Sequence, residues 1–179
     1  MTSKERVRAA LSHQKPDRIP AAFEAVESVR QKLLLHYGFR DMDQLLEKFQ
    51  IDILPADPRY IGPELKSYRN DKGQLVCQTF WGYECTRQET AVDTYWTTTY
   101  FPLNDVETVE DVDKIPFPDP DWFDYSAITE VCDQHPDKAI IIGHPGPFQM
   151  ATFLIEMDRL FVLMVEEPET AQRIFDRMV

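Results

Sequence analysis

The stretch 139–152, AIIIGHPGPFQMAT, constrains the fold of this chain more than any other. Its first four residues are all apolar and lack the alternation of a half-exposed strand, which predicts a strand covered on both faces, as in a parallel sheet. Gly143 then breaks the strand, and Pro147 suits the first position of a helix. Strand, loop and helix in this order are typical of α/β proteins, which keep their ligand sites at the carboxyl ends of the strands.

Composition narrows the class of protein. A length of 179 residues, 43% of them hydrophobic, predicts one packed domain. The formal charge of -12 disfavours a nucleic-acid partner. With no secretory leader pattern and no apolar run near the ~20 residues that cross a bilayer, we expect a cytoplasmic protein and no membrane partner. Cys77, Cys85 and Cys132 have no CxxC spacing and are expected to remain thiols.

The first 54 residues predict helices alternating with short apolar strands. Ser3 is the expected N-cap of the first helix, Gly38 ends the second and Asp41 caps the third. Val26 and Val29 are expected to face the core from the second helix. The predicted helices cover 3–13, 26–37 and 42–49, and the predicted strands cover 19–23 and 51–54.

Residues 60–101 show a different pattern, in which polar and apolar residues alternate with period two. This predicts an antiparallel β insertion, with turn residues at 70–73. Its many aromatic residues form either a ligand wall or the apolar face of a hairpin packed on the domain. Beyond it we expect a short helix before the PFPDP connector and further helices at 126–134, 148–156, 158–165 and 168–178.

Two polar residues follow predicted strands. Asp57 comes just after the second strand, between Pro55 and Pro58, and His144 lies in the loop after the 139–142 strand. We expect both to point into one cavity, where the start of the next helix favours an anion. The alternatives are a solvated Asp57 and a His144 bound to a neighbouring loop.

Several segments in order resemble the uroporphyrinogen decarboxylase superfamily: RVRAALSHQKPDRIP, IDIL, VEDVDKIPFPDPDWFDY, and IIIG followed by GPFQMATFLIEMDRL. The likeness is to the amino-terminal half of its bacterial decarboxylase-like and corrinoid methyltransferase branch. It implies an α/β fold, a partial (β/α)8 TIM barrel carrying the antiparallel insertion. The sequence predicts three parallel strands, whereas a closed barrel of this class has eight. We therefore expect self-association or a missing second half that covers the strand edges.

The resemblance also assigns site residues. Asp57 corresponds to the pyrrole-binding aspartate, with Asp52 as a competing alignment, and Phe153 falls where family decarboxylases carry a tyrosine. Two glutamates precede Arg30 after the first strand, and their negative charge would repel a polycarboxylate ligand. Together these comparisons favour a role other than uroporphyrinogen decarboxylation itself.

Three functions remain open at this point. The first is corrinoid-linked methyl transfer, or action on a tetrapyrrole-type ligand, with a corrinoid protein as partner. The second is true uroporphyrinogen decarboxylation in porphyrin biosynthesis, and the third is a non-catalytic half that binds a partner chain. The candidate catalytic residues are Asp57 and His144, and the candidate substrate-binding residues are Tyr60, Phe148 and Phe153. No metal ligands are assigned here, because the family's zinc and corrinoid chemistry belongs to the half that this sequence lacks.

Overall fold

The computed structural model describes residues 1–91, 93–143 and 146–178. These residues divide into two compact units: Met1–Arg59 with Asp124–Gly143, and Tyr60–Phe123 with the carboxyl-terminal helices. The α-helices are α1 (Ser3–Leu11), α2 (Glu27–Tyr37), α3 (Met42–Lys48), α4 (Val109–Lys114), α5 (Ser126–Gln134), α6 (Pro147–Leu154), α7 (Met157–Glu166) and α8 (Pro168–Asp176). The strands are β1 (Ile53–Pro55), β2 (Arg59–Tyr60), β3 (Ser67–Arg69), β4 (Leu75–Gln78), β5 (Glu84–Glu89), β6 (Thr94–Tyr100), β7 (Phe123–Asp124) and β8 (Ala139–Ile141).

The first unit contains a parallel pair of strands. β1 and β8 pair with Ile53 opposite Ala139, and Ala22 makes an isolated parallel bridge to Ile53. Helices α2 and α3 connect the Ala22 segment to β1, and α5 leads into β8. The three segments therefore lie side by side in chain order, in the βαβ manner that parallel pairing requires.

Two strand predictions are wrong in detail. The strand predicted at 19–23 is reduced to the bridge at Ala22, and Ile19 is 86% exposed. β8 forms where predicted but is not covered on both faces, since Ile142 just beyond it is 59% exposed. Among the described residues β8 has β1 as its single partner strand, so its other edge and part of its apolar surface lack a neighbour.

Local capping chemistry sets the helix ends. The N-cap of α1 is Thr2 rather than Ser3, because Thr2 and Glu5 form a reciprocal capping box with bonds of 3.2 and 2.8 Å. Gly38 ends α2 at φ 68°, a left-handed conformation that glycine adopts without strain. The prediction that Val26 and Val29 face the core is wrong. Both side chains are exposed, and α2 has no fully buried side chain.

The second unit begins with the antiparallel sheet predicted for this part of the chain. β3, β4, β5 and β6 pair in sequence order, each antiparallel to the next. β2 and β7 form a separate two-stranded pair. Helices α4, α6, α7 and α8 supply most of the second unit's buried core, whose members are Leu103, Val106, Val112, Ala151, Leu154, Ile155, Leu160, Leu163, Ala171 and Ile174.

The fold is mixed α/β, with small sheets and no closed barrel in the described part of the chain. None of the described helices has the length and apolarity that crossing a membrane requires.

Candidate functional site

The carboxyl ends of β1 and β8 lie at the same edge of the parallel pair. The Ala56 N–H donates to the Ile141 carbonyl at 2.9 Å, so the chain leaves both strands together. Asp57 follows immediately and is exposed. Gly143 follows β8 at φ 87°, where a side chain would be strained. Asp57 thus occupies the edge at which α/β proteins bind ligands.

The other predicted catalytic residue, His144, lies outside the described residues. The helix after it begins at Pro147, as the sequence predicts, with Gly146 as its N-cap and no side chain capping it. The expectation that His144 and Asp57 share a cavity therefore stays a prediction.

The opposite end of β1 is built around Asp52, which is fully buried. Its carboxylate accepts hydrogen bonds from Arg6 Nη1 at 2.7 Å, from Arg18 Nη1 and Nη2 at 2.6 and 2.9 Å, and from the Ala21 N–H at 2.9 Å. Asp52 precedes β1, so it lies at the amino end of the strand. Asp57 is therefore the aspartate at the carboxyl end of β1, and Asp52 the one at its amino end.

A second carboxylate completes this network. Arg6 is buried and also binds Asp17 through Nε at 2.5 Å and Nη2 at 2.8 Å, a bidentate geometry. Burial raises the pKa of Asp52, but hydrogen bonds from Ala21 and the arginines outweigh it and hold that pKa at about 2. The hydrogen bond from Arg6 is the main cause that lowers the pKa of Asp17 to about 2. Both carboxylates are therefore ionised at neutral pH and unsuited to donating a proton.

Arg30 is a further charged residue of interest, on the helix that follows the Ala22 bridge. Its Nε is buried and has no hydrogen-bond partner in the described part of the chain. An unpaired buried donor is uncommon and calls for a partner outside the protein or a functional explanation. The sequence pattern discounted Arg30 because two glutamates precede it, but both glutamates are exposed.

Tyr60 lies in an aromatic cluster in the second unit. Its ring stacks on Phe80 with centroids 5.5 Å apart and meets the Phe123 ring edge-on at 5.7 Å. Its hydroxyl donates to the Pro63 carbonyl at 2.7 Å. A cleft of about 180 Å³ lies beside this cluster, and its lining includes Tyr60, Phe80 and Trp122. Tyr60 thus contributes ring surface to a small cleft, while its hydroxyl is bound internally.

The two predicted substrate-binding phenylalanines make separate contacts. Phe153 stacks on Tyr83 at 5.5 Å, and the half-exposed Phe148 stacks on Phe161 at 6.1 Å. Neither ring contact involves Tyr60, so the three aromatic candidates do not form one cluster. Asp57 belongs to the first unit, whereas all three aromatic candidates belong to the second.

The aromatic residues of the β insertion differ in their surroundings. Trp81 and Tyr83 pack against the helical core of the second unit, as the apolar face of a hairpin would. Tyr95, Trp96 and Tyr100 on β6 are about half exposed, at 47%, 51% and 53%. The exposed aromatic surface of the insertion therefore includes the edge strand β6.

Another cleft of the second unit has a volume of about 600 Å³. Phe101, Met157 and Phe161 supply apolar lining, and Glu156 and Asp158 supply acidic groups. Glu156 also accepts a hydrogen bond from the Asn104 side chain at 2.9 Å. This composition suits an apolar or cationic group better than an anionic one.

No group of three or more His, Cys, Asp or Glu side chains in the described ranges could hold a metal ion. The described residues therefore do not fit the zinc site of the methyltransferase branch. Comparison of the chain with family models, with curated proteins and with solved structures found no match.

Proposed function

We propose that this chain forms the amino-terminal part of a (β/α)8 enzyme of the uroporphyrinogen decarboxylase superfamily, acting in corrinoid-linked methyl transfer or on a tetrapyrrole-type ligand. The observation that carries the proposal is the parallel order of the Ala22 segment, β1 and β8. These three segments lie side by side in the order in which they occur in the chain, with α2 and α3 between the first two and α5 leading into β8, which supports their assignment as the first parallel strands of a barrel.

The carboxyl edge of this pair would supply the ligand site. Asp57 is exposed there and, by the resemblance, accepts hydrogen bonds from pyrrole N–H groups. A carboxylate stabilises positive charge that develops on a pyrrole more strongly than a neutral acceptor does. In a complete protein, zinc would activate a thiol and a corrinoid would carry the methyl group. Because the described residues do not fit a metal site, we assign neither of those steps to this chain.

True uroporphyrinogen decarboxylation is the second candidate, and Arg30 favours it. The Arg30 Nε has no hydrogen-bond partner among the described residues, and a guanidinium group forms strong charge-assisted hydrogen bonds with carboxylates. The exposed residues Glu24 and Glu27 oppose it by repelling a polycarboxylate. Phe153, which stacks on Tyr83, has no hydroxyl to offer.

One edge of β8 has no partner strand in the described part of the chain, which supports a third element of the proposal, a second half or partner chain. Strand edges with exposed backbone groups pair readily with another strand. Exposed apolar residues beside that edge, including Ile142, would be covered by such a partner. The requirement for a partner applies to an enzyme and to a non-catalytic half alike.

Ligand titrations test the proposal and separate its two candidates. We would titrate the purified chain with uroporphyrin and, separately, with hydroxocobalamin, following absorbance and the fluorescence of its three tryptophans. Asp57→Asn is expected to weaken uroporphyrin binding about tenfold or more, because a charge-assisted hydrogen bond from a pyrrole N–H is lost. Asp71→Asn, which changes an exposed turn aspartate, is the matched control.

The two titrations distinguish methyl transfer from decarboxylation. Binding of hydroxocobalamin alone supports methyl transfer, whereas binding of uroporphyrin that is weakened by Arg30→Ala supports decarboxylation. Binding of neither ligand, or equal effects of Asp57→Asn and Asp71→Asn, would contradict a tetrapyrrole site at the carboxyl edge of β1.

A further inference from the structure

Two of the three cysteines face each other across the antiparallel sheet. Cys77 on β4 and Cys85 on β5 are direct register partners. Opposite residues on neighbouring strands project to the same face, with Cβ atoms about 4.5–5.5 Å apart. The pairing arises from the hairpin that joins β4 and β5. The sequence spacing of the two cysteines matches no motif for a disulfide or a metal site.

The hydrogen-bond pattern defines the kind of pair they form. The Thr79 N–H donates to the Tyr83 carbonyl at 2.9 Å, so those two residues occupy a hydrogen-bonded position. Hydrogen-bonded and non-hydrogen-bonded residue pairs alternate along an antiparallel ladder. The pair two residues further along each strand is therefore hydrogen-bonded again. Cys77 and Cys85 therefore occupy a hydrogen-bonded position, with Cα atoms about 5.5 Å apart.

We propose that Cys77 and Cys85 form a reversible disulfide across β4 and β5. The Cα separation of a hydrogen-bonded pair falls within the range of disulfides, so the bond needs no large backbone movement. The Cβ separation in such a pair exceeds the usual value of about 3.8 Å, so closing the bond strains the ladder. Strained disulfides are the more easily reduced ones, which makes this pair suited to switching rather than to permanent bracing.

The surroundings of both thiols permit the reaction. Cys77 and Cys85 are unpaired and partly exposed, so a small reagent reaches them. The Ser67 hydroxyl donates to Cys77 Sγ at 3.4 Å, and Cys85 Sγ lies 4.0 Å from the Thr98 hydroxyl. Next to Cys85 the β5–β6 ladder shifts register, and such bulges locally disrupt pairing. β5 therefore has room to adjust when the bond closes.

The reaction balances as thiol–disulfide exchange with a small-molecule disulfide such as oxidised glutathione. One cysteine thiolate attacks a glutathione sulfur, forms a mixed disulfide and releases one glutathione thiolate. The second cysteine thiolate then attacks the Sγ of the first cysteine, which forms the Cys77–Cys85 bond and releases the other glutathione as a thiolate. Two electrons pass from the protein to glutathione, and the protein loses two hydrogen atoms overall.

The test uses the intact chain equilibrated in buffers with a series of ratios of reduced to oxidised glutathione. After acid quenching, free thiols are alkylated and the linked peptides are identified by mass spectrometry. We expect one linked species joining Cys77 to Cys85, the same in Cys132→Ser as in the parent chain. If both cysteines stay reduced or carry only glutathione at the most oxidising ratio, the proposal is wrong.

A matched variant tests the lability of the bond. Gln78 and Glu84 are register partners at the adjacent, non-hydrogen-bonded position. Gln78→Cys with Glu84→Cys, in a chain that also carries Cys77→Ser and Cys85→Ser, should form a disulfide that is harder to reduce. We expect its half-reduction to need roughly tenfold more reducing conditions. Equal resistance of the two bonds would overturn the assignment of a strained, switching disulfide.

Discussion

The Arg6 guanidinium and the fully buried Asp52 carboxylate are 2.7 Å apart, although 46 residues separate them in the sequence. Arg6 lies on α1, and Asp52 immediately precedes β1. Because Arg18 and the Ala21 N–H bind the same carboxylate, the amino-terminal helix, the segment after it and β1 are held at one point. This contact stabilises the first unit at the end opposite to Asp57.

Replacing Asp52 should strongly destabilise the first unit. Asp52→Asn leaves two arginines without their shared counter-ion, and breaking a buried ion pair from one side costs about 3–5 kcal/mol. The free energy of unfolding in urea measures the loss. Asp57→Asn, at the exposed end of the strand, is the control and should change stability little. A loss no larger for Asp52→Asn than for Asp57→Asn would contradict the role of Asp52.

Stability should fall in acid because of the same network. The pKa of Asp52 and that of Asp17 are about 2 in the folded chain, below the ordinary value of 3.8. A depressed pKa means that the stabilisation is fully present above the ordinary value and is lost as pH falls toward the folded value. We expect the unfolding midpoint in urea to drop between about pH 4 and pH 2. The drop should be smaller in Asp52→Asn, and equal slopes for both chains would contradict this explanation.

The core of the second unit gives a contrast between buried and exposed positions. Ile174 on α8 is fully buried, whereas Val165 on α7 is 82% exposed. Ile174→Ala should cost about 2–5 kcal/mol, from lost apolar burial and the cavity left behind. Val165→Ala should lie within about 0.5 kcal/mol of the parent chain. Thermal or urea unfolding of the two variants checks the difference, and similar losses would show that the helical core is misassigned.

The loop after β8 offers a test of backbone strain. Gly143 has φ 87°, whereas Gly146 has φ -70°, and an added Cβ meets no atom within 4 Å at either position. Gly143→Ala should therefore cost about 1–2 kcal/mol through conformation alone. Gly146→Ala should cost less, because its backbone suits any residue. Equal stability losses in the two variants would argue against the left-handed turn at Gly143.

We expect self-association through the edge of β8 that has no partner strand among the described residues. We expect the chain to sediment as a dimer or larger species at high concentration, since an exposed apolar strand edge pairs with another copy. Ile142→Asp beside that edge should shift the distribution toward monomer. Leu35→Asp, on a more exposed apolar residue of α2 (84% against 59% for Ile142), should not. A chain that stays monomeric at high concentration would contradict an open strand edge.

The sequence by itself determined the features that depend on neighbouring residues. Gly38 and Asp41 end and begin helices as predicted, and α5 covers the predicted residues 126–134. The antiparallel pairing between residues 67 and 100 also follows from local alternation and turn residues. Capping bonds and the period of side-chain direction act over a few residues, so one stretch of sequence carries them.

Tertiary structure decided the features that depend on distant residues. Asp52 and Asp57 are both aspartates beside one strand, and only the position of Arg6 and Arg18 made one of them a buried structural anion. Cys77 and Cys85 lie opposite each other because of the register between β4 and β5. The segment predicted as a strand at 19–23 forms a single bridge, because a strand needs hydrogen-bonding partners along its whole length and only Ala22 is paired, with Ile53. These outcomes depend on contacts between segments far apart in the chain, which local patterns do not encode.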